Sequence, residues 1–229
     1  MIGIIGAMSV EIEGIQARIE QPQRRTIGAN TFVSGKLCGR DVVAAQCGIG
    51  KVNAAICTQT MILTYAPELI INSGVGGSLN RQLTFGDIAI ARNLVQHDAD
   101  TSPLGDPVGL VSTVNKIYFD CDERAVQLLD EIVNSMDGVS GMIGTIASGD
   151  QFIASSAQKD RIVQNFNAIA CEMEGGAIAH VCDVSAVKCA VIRAISDNAD
   201  DESHMDYGQF VQMAAARSIE VLLKLLTVY

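Results

Sequence analysis

Positive charge is scarce in this chain. Only 16 lysines and arginines stand against 26 acidic residues, a formal net charge of -10. Sequence-independent nucleic-acid binding needs a basic footprint, so that class of function is excluded. An anionic membrane surface is excluded as a partner on the same ground. Histidine is scarcer still: His97, His180 and His204 form no HExxH helix and no zinc-ligand spacing, so no metal site is expected. The seven cysteines contain no CxxC pair and sit mostly within apolar runs. They read as reduced packing residues of a cytoplasmic protein. No apolar run approaches bilayer length. The N-terminus lacks a signal peptide's basic segment, and Glu11 and Glu13 interrupt its apolar run. No GxSxG elbow is present, so an α/β-hydrolase triad has no support.

What is there is globular. Hydrophobic residues make up 48% of the chain and there are 21 glycines. A length of 229 residues suits one α/β domain spanning 1–229. Ile2–Gly6 reads as a short buried strand, and Met8, Ile12, Ile15 and Ile19 then recur at helical spacing, predicting a helix over Ser9–Glu20. Gly28–Leu37 and Asp41–Gln46 read as antiparallel strands about a Cys38-Gly39-Arg40 turn. A helix is expected from Val52 to Tyr65, then a strand over Glu68–Asn72 that ends at Ser73-Gly74-Val75-Gly76-Gly77. Further strands are expected at Gly86–Val95, Val139–Ala147, Ala168–Cys171 and Val191–Asp197, and helices at Asp122–Met136, Ser156–Asn165 and Asp206–Thr227. In the last helix Phe210, Met213, Ala214, Ile219, Leu222 and Leu226 are expected to face inward. Strands alternating with helices predict a three-layer α/β/α fold around a twisted mixed sheet.

Several loops invite ligand assignments that their spacing does not support. Gly48-Ile49-Gly50-Lys51 lacks the earlier glycine and the Ser/Thr of a P-loop. Ser73–Gly77 is not GxGxxG, and His97-Asp98-Ala99-Asp100 lacks the glycine and distal glutamate of a calcium loop. His180, inside an apolar helix, reads as a satisfied core residue.

The chemistry that remains lies in carboxylates at strand exits: Glu11, Glu172, Glu174 and Asp197, with Arg193 and Ser196 nearby. Small ligands of α/β sheets bind at such exits. If the chain is still extended at Glu172-Met173-Glu174, its two carboxylates share a side, and their repulsion calls for a cation, a polyhydroxylated ligand or a proton. A strand that simply finishes in solvated glutamates is the plainer alternative, as is Glu11 complementing a helix dipole. Metal-free carboxylates suit glycosidic cleavage, in which one acid protonates the leaving group and another activates water.

Five motifs then stand in one order: GIIGAM with Glu11, GIGKV at Gly48–Val52, SGD at Ser148–Asp150 with Phe152-Ile153, EME at Glu172–Glu174, and RAISD at Arg193–Asp197. Across the whole chain this set resembles the 5'-methylthioadenosine/S-adenosylhomocysteine nucleosidases of the nucleoside phosphorylase-like superfamily. The resemblance implies the following roles. Asp197 would be the general acid toward adenine, and Glu11 would activate the attacking water. Glu174, with Glu172 beside it, would hold the ribose hydroxyls, and Met173 would pack beneath the sugar. Phe152 would stack on adenine while the Ile153 backbone reads its edge. Met8, Ile49 and Tyr207 would line the alkylthio pocket, with Val75, Gly76 and Gly77 beside base and sugar. Arg193 would steady the carboxylate cluster, and Ser196 is counted with it among the substrate-binding residues. No cofactor is implied. The family is typically a homodimer in which the loop after His97-Asp98 completes the neighbour's pocket, here Thr101–Ser112. Leu104 stands where an aromatic is frequent, which touches substrate preference among methylthioadenosine, S-adenosylhomocysteine, 5'-deoxyadenosine and aminodeoxyfutalosine.

Two rivals remain at this point. A purine nucleoside phosphorylase of the same superfamily needs a phosphate site after the first strand, where this chain offers Glu11. A non-catalytic nucleoside sensor has no need of a water-activating carboxylate.

Overall fold

The computed structural model describes residues 1–229. Ten strands and six α-helices alternate through most of the chain. In order they are β1 (Ile2–Gly6), α1 (Ser9–Gln16), β2 (Glu20–Ile27), β3 (Asn30–Leu37), β4 (Arg40–Gln46), α2 (Lys51–Tyr65), β5 (Leu69–Ser78) and β6 (Ile88–Gln96). There follow β7 (Tyr118–Asp120), α3 (Glu123–Asn134), β8 (Gly141–Ser148), α4 (Ser156–Phe166), β9 (Ala168–Glu172), α5 (Gly175–Val184), β10 (Lys188–Asp197) and α6 (Ser203–Val228). No helix is long and apolar enough to cross a membrane.

All ten strands join one mixed sheet, as a three-layer α/β architecture requires. Side chains alternate across it, as the two-residue period of a strand dictates. In β10, Ala190, Ile192 and Ala194 face a core shared with α1, α3 and α6. Cys189, Val191 and Ile195 face the opposite core, shared with α2 and α5. Strand β1 lies between β4 and β5, parallel to both.

Part of the sheet closes on itself. β5 pairs with β10 and β9, and β10, β6, β8 and β9 complete a ring of five strands. The closure depends on the glycine-rich second half of β5. There Gly77 lies opposite Asp197 of β10 and also opposite Cys171 of β9, so one strand brings three site segments together. The expected strand exit at Ser73–Gly77 is therefore the strand itself, and all of Leu69–Ser78 is buried.

Other boundaries differ for identifiable reasons. The first helix stops at Gln16 and not at Glu20, because Glu20 opens β2. That strand, EQPQRRTI, is exposed along nearly its whole length at the sheet edge and carries no apolar alternation to announce it. Short β7 gave no signal either. The expected Cys38-Gly39-Arg40 turn is one residue tighter: Arg40 pairs with Leu37 and opens β4, leaving Cys38 and Gly39 with φ of 50° and 75°, the positive values a two-residue hairpin turn of this hand needs. In α6, Ala214, Leu222 and Leu226 face inward as expected, but Met213 is exposed, and the buried stripe runs instead through Ala215, Ser218, Val221 and Leu225.

Candidate active site

A cavity of about 380 Å³ lies where the carboxyl ends of the central strands converge. That is the position where α/β sheets bind small molecules, and the size is within the ligand-site range of about 300–1,000 Å³. Each expected site residue except Arg193 lines it. Met8 and Glu11 come from the start of α1, Ile49 from the loop after β4, and Val75, Gly76 and Gly77 from β5. Phe152 and Ile153 follow β8, while Glu172, Met173 and Glu174 join β9 to α5. Ser196 and Asp197 end β10, and Tyr207 belongs to α6. Ala7, Gln151 and Cys171 also line the cavity and were not singled out by the sequence. Ala7 was concealed because its contribution is a backbone amide, which carries no side-chain signature. Arg193 lies behind the wall.

Glu11 is buried and held by three backbone amides. Oε2 accepts from Ala7 at 2.8 Å and Met8 at 2.9 Å, and Oε1 accepts from Val75 at 3.0 Å. A carboxylate offers about four acceptor positions, so one remains on Oε1. The dipole reading of Glu11 holds, since it closes the start of α1, but it is only half of what the residue does. Close approach from the β5 side is possible because position 74 is glycine: a Cβ there would lie 2.5 Å from Oε1.

Glu172 and Glu174 do not share a face or a role. The chain leaves the extended conformation at Glu174, where φ is -133° and ψ -41°, because that residue is the N-cap of α5. Glu172 Oε2 accepts from the Glu174 amide at 3.0 Å, from the Gly175 amide at 2.7 Å and from Arg193. Its Oε1 accepts from Ser148 Oγ. Burial pushes the Glu172 carboxyl up, but Arg193 and these donors outweigh it and hold it below the usual range. Three of these donors crowd Oε2, so Glu172 anchors the start of α5, while Oε1, with Ser148 alone, keeps one position at the cavity wall. Arg193, only 2% exposed, is the partner that makes this buried charge tolerable, and it also donates to the Asn72 carbonyl and side chain.

Glu174 accepts a single hydrogen bond, from the Gly50 amide at 2.7 Å, leaving Oε2 and part of Oε1 for a ligand. Burial first, then the neighbouring Glu172 charge, push its pKa up to about 8. Burial also raises Asp197, against the Ala199 amide on Oδ1 and Ser196 Oγ on Oδ2, both at 2.9 Å. Both carboxyls thus hold protons more tightly than free acids do, as acid–base groups of a site must. The far wall is apolar: Tyr207 donates to Met8 Sδ at 3.1 Å and meets Phe152 edge-on at 5.7 Å. Phe152 lines the cavity and keeps 46% of its surface exposed.

The site is thus a buried cluster of unlike carboxyls beside an apolar wall, and comparison with known proteins identifies the family. The chain matches the phosphorylase superfamily over residues 1–227. It is 37% identical over 226 residues to a 5'-methylthioadenosine/S-adenosylhomocysteine nucleosidase of Shewanella halifaxensis, covering 98% of each chain. It is also 37% identical over 222 residues to an aminodeoxyfutalosine nucleosidase of Helicobacter pylori, covering 96% of this chain and 95% of that one. The structure of the Neisseria meningitidis 5'-methylthioadenosine/S-adenosylhomocysteine nucleosidase in complex with methylthio-immucillin-A superposes with a TM-score of 0.96 at 32% identity, covering 100% of this chain and 99% of that one. This chain belongs to the phosphorylase superfamily and, within it, to the 5'-methylthioadenosine/S-adenosylhomocysteine nucleosidase family.

Proposed function

We infer that the chain hydrolyses the N-glycosidic bond of 5'-methylthioadenosine and S-adenosylhomocysteine, releasing adenine and the thioribose. The observation that carries hydrolysis over phosphorolysis is where the amides at the start of α1 go. A helix N-terminus is a ready anion site, but here Glu11 already occupies the Ala7 and Met8 amides. No lysine or arginine lines the cavity, so water and not phosphate is the nucleophile.

The geometry supports the following steps. The bond from adenine to the anomeric carbon breaks with its electron pair going to the base. Asp197, whose burial makes it hold a proton more tightly than a free carboxyl does, gives that proton to the imidazole-ring nitrogen that is not bonded to the sugar. The sugar becomes oxocarbenium-like, and Glu174 stabilises it through the ribose hydroxyls in its ionised form, which gains as pH rises through about 8. Water held on the remaining Glu11 position attacks the anomeric carbon and loses its proton to that carboxylate. Met8, Ile49 and Tyr207 receive the alkylthio group, Phe152 stacks on adenine, and Met173 supports the sugar. Substituting Asp197→Asn or Glu11→Gln lowers turnover by about two or more orders of magnitude while 5'-methylthioadenosine still binds. Near-normal turnover in either variant contradicts these roles.

Aminodeoxyfutalosine is a second candidate substrate, favoured by the Helicobacter pylori relative. The working unit is a homodimer. Val52, Ile56 and Leu63 leave one face of α2 apolar and exposed, and Leu104 is 83% exposed. None of residues 101–112 lines the chain's own cavity, as a loop that serves the neighbour's site requires.

A further inference from the structure

Three residues from stretches that stood out in the sequence take no part in the chemistry above: Lys51 at the end of the Gly48–Lys51 turn, Asp98 beyond β6, and Asp150 beyond β8. In the folded chain they form a closed ring. Lys51 Nζ donates to Asp98 Oδ1 at 2.6 Å and to Gln96 Oε1 at 3.3 Å. The other Asp98 oxygen accepts from the Asp150 amide at 2.9 Å. Asp150 Oδ1 in turn accepts from the Lys51 amide at 2.8 Å. The adjoining amide, that of Gly50, is the one protein donor to the Glu174 carboxylate.

We propose that Lys51, Asp98 and Asp150 are positioning residues, a latch that clamps the Gly50 amide onto Glu174 and so sets the charge and aim of the ribose-binding carboxylate. The proposal rests on the reading of Glu174 as the ribose ligand. An exposed ion pair would contribute little, but the Lys51 and Asp98 side chains are only 18% and 20% exposed, and the ring joins loops from three different strand ends. Burial pushes Asp98 up, but Lys51 and the Asp150 amide hold it below the usual range, so its charge persists at neutral pH. The turn itself admits no side chain cheaply. Gly50 has φ of +97°, and a Cβ there would lie 3.0 Å from Asp150 Oδ1.

The consequence for Glu174 has a definite sign. Hydrogen bonding from the Gly50 amide favours its charged form, as Arg193 does, whereas burial and the charges of Glu172 and Glu11 oppose it. Its other neighbours are silent near neutral pH: burial raises Cys47 and Tyr207 further above that range. Beside Asp98, burial keeps His97 neutral. Loosening the latch therefore raises the pH at which Glu174 ionises.

The test measures 5'-methylthioadenosine binding by calorimetry across neutral and mildly alkaline pH in the slow-cleaving Asp197→Asn protein. That background also removes the titration of Asp197. Binding tightens as pH rises through about 8. Adding Asp150→Ala moves that transition up by about half a pH unit or more and weakens binding at neutral pH roughly threefold to tenfold. Asp150→Asn, whose amide oxygen still accepts from Lys51, restores both. Lys51→Met gives the same displacement and serves if Asp150→Ala fails to fold. A lowered thermal midpoint with an unmoved transition in both disrupting variants shows a merely structural brace and overturns the proposal. Failure of Asp197→Asn itself to bind 5'-methylthioadenosine overturns the site assignment, and the latch with it.

Discussion

A single methyl group added inside β5 should disable the water-activating carboxylate without touching it chemically. In Gly74→Ala the new Cβ would stand 2.5 Å from Glu11 Oε1, and ordinary contact begins near 3.4 Å. The backbone at position 74 has an ordinary negative φ, so the strand accepts alanine and the carboxylate must yield. It retreats by nearly 1 Å, stretching or losing the 3.0 Å bond from the Val75 amide. Misplacement on that scale costs about 100-fold in rate, within the roughly 10²–10⁴-fold that a general base contributes. Steady-state adenine release, followed by absorbance, measures the fall in turnover. A thermal melt checks that the protein is folded. The decisive variant combines Gly74→Ala with Glu11→Ala. If the methyl acts through Glu11, the double variant is no slower than Glu11→Ala alone, because the two changes remove one interaction. Turnover within about threefold of the parent in Gly74→Ala, or multiplicative losses in the double variant, would refute the reasoning.

Glu174→Gln should trade activity for stability. The folded-state pKa of Glu174 is raised from 4.5 to about 8, so the folded chain binds this proton more tightly than the unfolded one. The group's contribution is therefore fully favourable below pH 4.5 and is lost as pH rises through 8. Glu174→Gln gains thermal stability over the parent above pH 8, and that gain fades toward pH 4.5; calorimetric melts with a pH-independent difference contradict it. For the dimer, sedimentation gives a two-chain species, and Ile56→Asp, on the exposed face of α2, shifts it toward monomer with loss of turnover. A fully active monomer at assay concentration rules the dimer role out.

Much of this was legible in the sequence. Strands ending in Glu172 and Ser196-Asp197 carried both the apolar run and the polar residue that closes it, so their place at the cavity could be read directly. The first strand and the helix Lys51–Tyr65 were nearly exact because clear stops bound them: Gly6 closes the strand, and Gly50 and Pro67 bracket the helix. What was hidden depended on partners distant in sequence. The unequal fates of Glu172 and Glu174 follow from Arg193 and the Gly50 amide, and nothing local distinguishes two glutamates one residue apart. The closure of five strands rests on pairing between β5, β9 and β10. The glycines of β5 look like a turn until those neighbours are known. Edge strand β2 was missed because an exposed polar strand has no buried face to impose a pattern.

The central claim is that water, activated by Glu11 on amides a phosphate would otherwise use, attacks the anomeric carbon. Its most direct test is the rate and products of 5'-methylthioadenosine cleavage in phosphate-free buffer and again with added inorganic phosphate. The account predicts equal rates of adenine release in both and free methylthioribose as the only sugar product. Adenine release that requires phosphate, with a sugar 1-phosphate as product, would contradict it.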